Sequence, residues 1–206
     1  MKDLIRQVCF TGLLLIFLGQ FWKLNSSEKQ LRVVTTTADL ADLVRQVGGD
    51  KVEVISLTKG TQDPHYIEPR PSMVIQVQAA DLLVRVGMDL DSWVQSLIDT
   101  SRNKKIVYGA SGYLDVSTEI TKLEIPTGRI DGRMGDIHIF GNPHYWLDPE
   151  NGKIILSEIS RKLCELRPAD AHYFQTNERQ YAAEFAAVYE QWKTKLQPYR
   201  DEKIVT

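Results

Sequence analysis

The chain has 206 residues, 43% of them hydrophobic and 25% charged, with a formal net charge of -2. That composition is ordinary for one large folded domain or two small ones, and nothing in its balance of charge calls for nucleic acid or an anionic membrane as a partner. The 2 cysteines, Cys9 and Cys164, cannot build a disulfide framework or a zinc knuckle, which needs closely spaced pairs.

Lys2 and Arg6 open the chain, and residues 8–22 are then mostly apolar. A run of this length is short for a membrane span, which takes about 20 apolar residues, and fits the apolar region of a secretory signal. No A-x-A cleavage pattern follows, and Arg6 and Gln7 before Cys9 do not suit lipid attachment. Residues 1–30 are therefore expected to be a signal segment or an N-terminal anchor, with cleavage left open.

Residues 31–37, LRVVTTT, read as a strand rich in β-branched residues. Leu40, Leu43 and Val47 then recur at helical spacing and stop at Gly48-Gly49. Residues 52–57 form a second strand, and Gly60, Pro64, Pro69 and Pro71 make residues 59–71 a loop. Ser72 is expected to cap a short helix through Val74, Ile75 and Val77. A third strand over 82–86, a helix over 90–98 and a fourth strand over 105–108 continue the alternation. This pattern predicts an α/β fold, a mostly parallel sheet flanked by helices.

Residues 114–143 are irregular and rich in glycine, and a long loop of this kind is often functional. From Pro149 the chain turns helical: Ile154, Ile155, Ile159 and Leu163 mark one helix that ends near Arg167, with Cys164 packing as a small hydrophobe. Phe174, Tyr181, Phe185, Val188, Trp192 and Leu196 mark another. A helix over 168–196 would be about 40 Å long, a rod suited to connecting two lobes. Residues 203–206, KIVT, read as the opening of a further strand.

The 4 histidines are His65, His138, His144 and His172. Two of them share a context, Asp63-Pro64-His65 and Asn142-Pro143-His144, on proline-stiffened loops. Ligands of open α/β sheets bind beyond the carboxyl ends of the strands. Two imidazoles presented there are a reasonable pair of ligands for one metal ion, although a lone loop histidine is more often a plain surface residue.

Three stretches carry a resemblance: GTQDPHYIEPRPSMV at 60–74, AADLLVRVGMDLDSW at 79–93 and GNPHYWLDPEN at 141–151. In this order they resemble the cluster A-I, TroA-like solute-binding proteins of zinc and manganese ABC transporters. The resemblance implies two α/β lobes joined by one long helix, with Zn(II) or Mn(II) held in the cleft as cargo. It implies that His65 and His144 are the two metal ligands of the N-terminal lobe. A histidine and an acidic residue would come from a C-terminal lobe. Residues 31–167 are then the N-terminal metal-binding lobe, 168–198 the inter-lobe helix, and 199–206 the start of a C-terminal lobe that is missing. The partners implied are a membrane permease and an ATPase, with the protein an extracytoplasmic monomer, periplasmic or at the cell surface, that does not bind nucleic acid.

The sequence departs from the family pattern at Ile67, where an aromatic residue is common, and at Asn142, where Asp is sometimes found. A glycine-rich segment with Asp131, Asp136 and His138 stands where some zinc-specific members carry a His-rich loop. His138 reads as an exposed loop residue, with metal hand-over or ligation as the alternative. His172 reads as solvated, and Glu68 and Asp148 as residues that orient loops. No enzyme is expected: Pro64 and Pro69 bracket His65 and Glu68, so the helical spacing of a hydrolytic zinc site cannot form. The alternative function is a surface adhesin of the same fold.

Overall fold

The computed structural model describes residues 29–128 and 138–203. Residues 1–28 of the expected signal segment, Asp131, Asp136 and residues 204–206 lie outside them. The chain divides into two units, Met1–Gln30 and Leu31–Thr206, and every element below lies in the second.

Four strands, β1 (Leu31–Thr35), β2 (Val52–Ser56), β3 (Leu82–Arg85) and β4 (Tyr113–Asp115), form one sheet in the order β2-β1-β3-β4. All neighbours are parallel, with Val33 opposite Leu82 and Val34 opposite Leu83. Helices α1 (Ala38–Gly48), α2 (Pro71–Gln78), α3 (Val94–Ser101), α4 (Pro149–Leu166) and α5 (Ala171–Leu196) cover it. Because side chains alternate across a strand, the two inner strands, β1 and β3, feed two cores. Val33, Leu82 and Val84 pack with Val44 of α1, with Ile155, Ile159 and Leu163 of α4, and with Phe174 of α5. Val34 and Leu83 turn the other way, onto Val77 of α2 and Val94, Leu97 and Ile98 of α3.

Local chemistry sets the boundaries. Thr37 caps α1, its side chain accepting from the Leu40 N–H, and Gly49 ends the helix at φ 51°. A side chain at Gly49 would also strike the Tyr173 hydroxyl. Helix α2 starts with Pro71 in its first turn and Arg70 at the cap, so Ser72 lies inside the helix rather than capping it. The expected helix over 90–98 begins only at Val94, because Met88 and Asp89 adopt left-handed backbone at φ 49° and 69°.

The fourth strand is not residues 105–108. Asn103 diverts that stretch into a turn: its side-chain carbonyl accepts from the Lys105 N–H, and its amide donates to the carbonyls of Val77 and Ala80. Only Ile106 of the run is buried, while Tyr108 is 85% exposed. The strand that pairs with β3 comes later, at Tyr113–Asp115. The long helix is present, preceded by a 3-10 turn at Pro168–Asp170. Of its residues only Phe174 is fully buried, and Trp192 and Leu196 are 56% and 61% exposed.

Candidate metal centre

His65 lies in the loop between β2 and α2, and His144 lies just before the 3-10 turn Tyr145–Leu147 that leads into α4. The fold brings them together, with ring centroids 5.1 Å apart. Each is fixed by the residue two places before it. The Asp63 carboxylate accepts from the His65 backbone N–H at 2.9 Å and meets Nδ1 of its ring at 2.7 Å. The Asn142 side-chain oxygen does the same for His144, at 2.9 Å to the backbone N–H and 2.9 Å to Nδ1.

This repeated arrangement decides the tautomers. A carboxylate only accepts, so Nδ1 of His65 carries the proton. The Asn142 oxygen is identified because the His144 backbone N–H requires an acceptor, so Nδ1 of His144 donates as well. Nε2 is then the basic nitrogen of each ring, the form in which histidine binds metals. Nε2 of His65 is buried without a hydrogen-bond partner. Such an atom normally costs about 1–3 kcal/mol unless something pairs with it. The hydrogen bonds from His65 hold the Asp63 carboxyl below the usual carboxylate range.

The loop behind His144 is tied at several points. Gly141, at φ 102°, has no room for a side chain beside the Leu123 carbonyl. The Asn142 N–H donates to that same carbonyl at 2.8 Å. The Asn142 amide donates to Glu124 at 2.9 Å, so a carboxylate backs the amide that backs the imidazole. The buried Tyr145 hydroxyl donates to the Val86 carbonyl at the end of β3, and Asn151 donates to the Tyr145 carbonyl at 3.0 Å. Asp148 caps α4 by accepting from the Glu150 N–H.

Beneath the site, the fully buried Asp91 accepts from the backbone N–H groups of Val86 and Gly87 at 2.7 and 3.1 Å. It also pairs with Arg85 at 2.7 Å. Val86 thus links this ion pair to the Tyr145 hydroxyl and so to the His144 turn.

His138 also reaches the site, its ring centroid 5.2 Å from that of His65 and 6.4 Å from that of His144. It is half-buried rather than an exposed loop residue, because the turn from His138 to Gly141 folds back on itself. His172 is exposed near the start of α5. Among the described residues no three His, Cys, Asp or Glu side chains are already spaced as ligands of one ion. The positioning roles of Asp63, Asn142 and Glu124 were missed from the sequence. The repeated Asx-Pro-His context was the available signal for the first two; nothing local marks Glu124.

Residues 33–206 match the family model described as zinc-uptake complex component A, periplasmic. The iron-binding protein YfeA of Yersinia pestis is 29% identical over 164 residues, covering 80% of this chain and 48% of the relative. A manganese ABC transporter substrate-binding lipoprotein of Streptococcus gordonii, scaA, is 29% identical over 206 aligned residues, covering 94% of this chain and 63% of the relative. The chain thus spans about half to three fifths of the length of these curated relatives. The crystal structure of Zn(II)-bound AdcA from Streptococcus pneumoniae superposes with a TM-score of 0.65 at 25% identity, covering 82% of this chain and 33% of that one. With the matched residues taking in both histidine loops, the sheet and the long helix, the chain belongs to the family of the periplasmic zinc-uptake component A.

Proposed function

We propose that this chain supplies the histidine side of a divalent transition-metal site in the extracytoplasmic solute-binding component of an ABC importer. The metal, Zn(II) or Mn(II), is cargo passed to a membrane permease and its ATPase. One observation carries the reading: His65 and His144, far apart in sequence, meet with both Nδ1 atoms engaged and Nε2 the basic nitrogen of each ring. The named relatives support it: one is an iron-binding protein, one a manganese ABC transporter substrate-binding lipoprotein, and AdcA is bound to Zn(II). The lipoprotein relatives support an extracytoplasmic location. The exposed Trp192 and Leu196 of α5 offer apolar surface for the second lobe that the family resemblance implies.

The protein binds and releases; it does not catalyse. His65 lies on a loop and not a helix, so Glu68 lacks the geometry of a general base in a hydrolytic zinc site. Titration calorimetry of the purified chain with Zn(II) and Mn(II) tests the proposal. H65A and H144A should each weaken binding sharply, and H172A should leave it unchanged. Parent-like binding by both H65A and H144A would overturn it.

A further inference from the structure

We propose that His138 is a third nitrogen ligand, so that this lobe alone presents three imidazoles to one ion and favours Zn(II) over Mn(II). The inference rests on the reading of His65 and His144 as a metal-binding pair. It stands on a separate observation, the convergence of the third ring.

A zinc–imidazole bond is about 2.0–2.1 Å, which puts the ring centroid about 3 Å from the ion. Two rings sharing a tetrahedral ion then stand about 5 Å apart, centroid to centroid. The His65–His144 and His65–His138 separations of 5.1 and 5.2 Å meet that condition. The His138–His144 separation of 6.4 Å exceeds it by about 1.4 Å, so one of these two rings has to turn about its side-chain torsions to complete the set. His65 is the shared neighbour of both other rings, and its Nε2 is buried with no hydrogen-bond partner among the described residues.

The backbone explains why His138 arrives there. The His138 carbonyl accepts from the Gly141 N–H, closing a tight turn at the positive φ of Gly141. The next residue, Asn142, is anchored to Leu123 through its backbone and orients His144 through its side chain. One short segment therefore delivers two imidazoles to the side of the site opposite Asp63 and His65 in sequence.

The donor set carries the selectivity. Zn(II) favours tetrahedral, nitrogen-rich sites, whereas Mn(II) favours oxygen donors and higher coordination. The nearby carboxylates, Asp63 and Glu124, are engaged in orienting His65 and Asn142.

The test uses the full 206-residue chain. Zn(II) and Mn(II) affinities are measured by chelator competition for the parent, H138A, H138Q, H65A and H144A, with circular dichroism confirming that each folds. Loss of an outer hydrogen-bond partner alone costs metal sites about 10- to 100-fold. H138A and H138Q should therefore lose at least about tenfold in Zn(II) affinity, and the Zn(II)/Mn(II) ratio should fall. As an independent readout, Zn(II) should protect His138 from diethyl pyrocarbonate in the parent but not in H65A. If H65A and H144A fail to bind while H138A binds Zn(II) like the parent and His138 is modified regardless of metal, this inference is overturned and the two-histidine reading survives. If H65A and H144A bind as the parent does, the two-histidine reading itself falls.

Discussion

Replacing Asp91 by Ala should be among the most damaging single changes in this chain, although Asp91 touches no candidate ligand. Its side chain is fully buried and accepts from the Val86 and Gly87 N–H groups and from Arg85. The Arg85 side chain is only 12% exposed, and its other acid neighbour, Asp115, stands 4.0 Å away. D91A leaves a buried guanidinium without its close carboxylate and the Gly87 N–H without an acceptor, and it leaves the Val86 N–H with only the Thr36 hydroxyl at 3.3 Å. Breaking a buried pair from one side costs about 3–5 kcal/mol, against a total stability of about 5–15 kcal/mol for a domain. At about 2–4 °C per kcal/mol for a chain of this size, the midpoint of thermal unfolding should fall by about 6–20 °C. Urea unfolding followed by circular dichroism measures the loss directly. R85A in the D91A background should restore part of it, because removing the orphaned cation removes part of the penalty. The two single losses should therefore exceed the double by about 0.5–3 kcal/mol. A D91A loss below about 1 kcal/mol, or strictly additive losses, would refute the account of this network. Because Val86 also accepts from Tyr145, folded D91A should bind metal less tightly than the parent.

Asn142→Ala should leave the fold intact and weaken metal binding by about 10- to 100-fold, since His144 loses the acceptor that sets its tautomer; calorimetry checks this, and N142D, which keeps an acceptor as Asp63 does, should retain more affinity than N142A. Burial raises the Asp115 carboxyl above its ordinary value, so its ionisation disfavours the folded state. The stability it contributes is therefore full below the unfolded value of about 4 and is lost as pH rises through the raised folded value. Urea melts from pH 3 to pH 8 should show D115N gaining on the parent as pH rises across that window, and a constant difference would contradict the assignment.

The sequence by itself determined the fold class and its chain order. Val33 and Val34 of β1 and Leu82, Leu83 and Val84 of β3 are buried on both faces of the sheet, so they read as short continuous apolar runs, and α1, α4 and α5 carry their periodicity openly. The repeated Asx-Pro-His context suggested that His65 and His144 belong together but left a surface role open, and it was the family resemblance that singled them out as a pair. The fourth strand was not legible. The run at 105–108 has strand composition, but Asn103 spends its side chain on Val77 and Ala80, and only the folded chain shows those carbonyls beside it. The start of α3 was hidden for the same reason: Asp91 belongs by spacing to a helix, yet its carboxylate is consumed by Arg85 and the turn that follows β3. At the site, tertiary structure alone decided the half-buried position of His138 and the backing of Asn142 by Glu124. Both lie in residues 138–144, which Asn142 anchors to Leu123 and Glu124, and hydrogen bonds between residues this far apart leave no periodic trace in sequence.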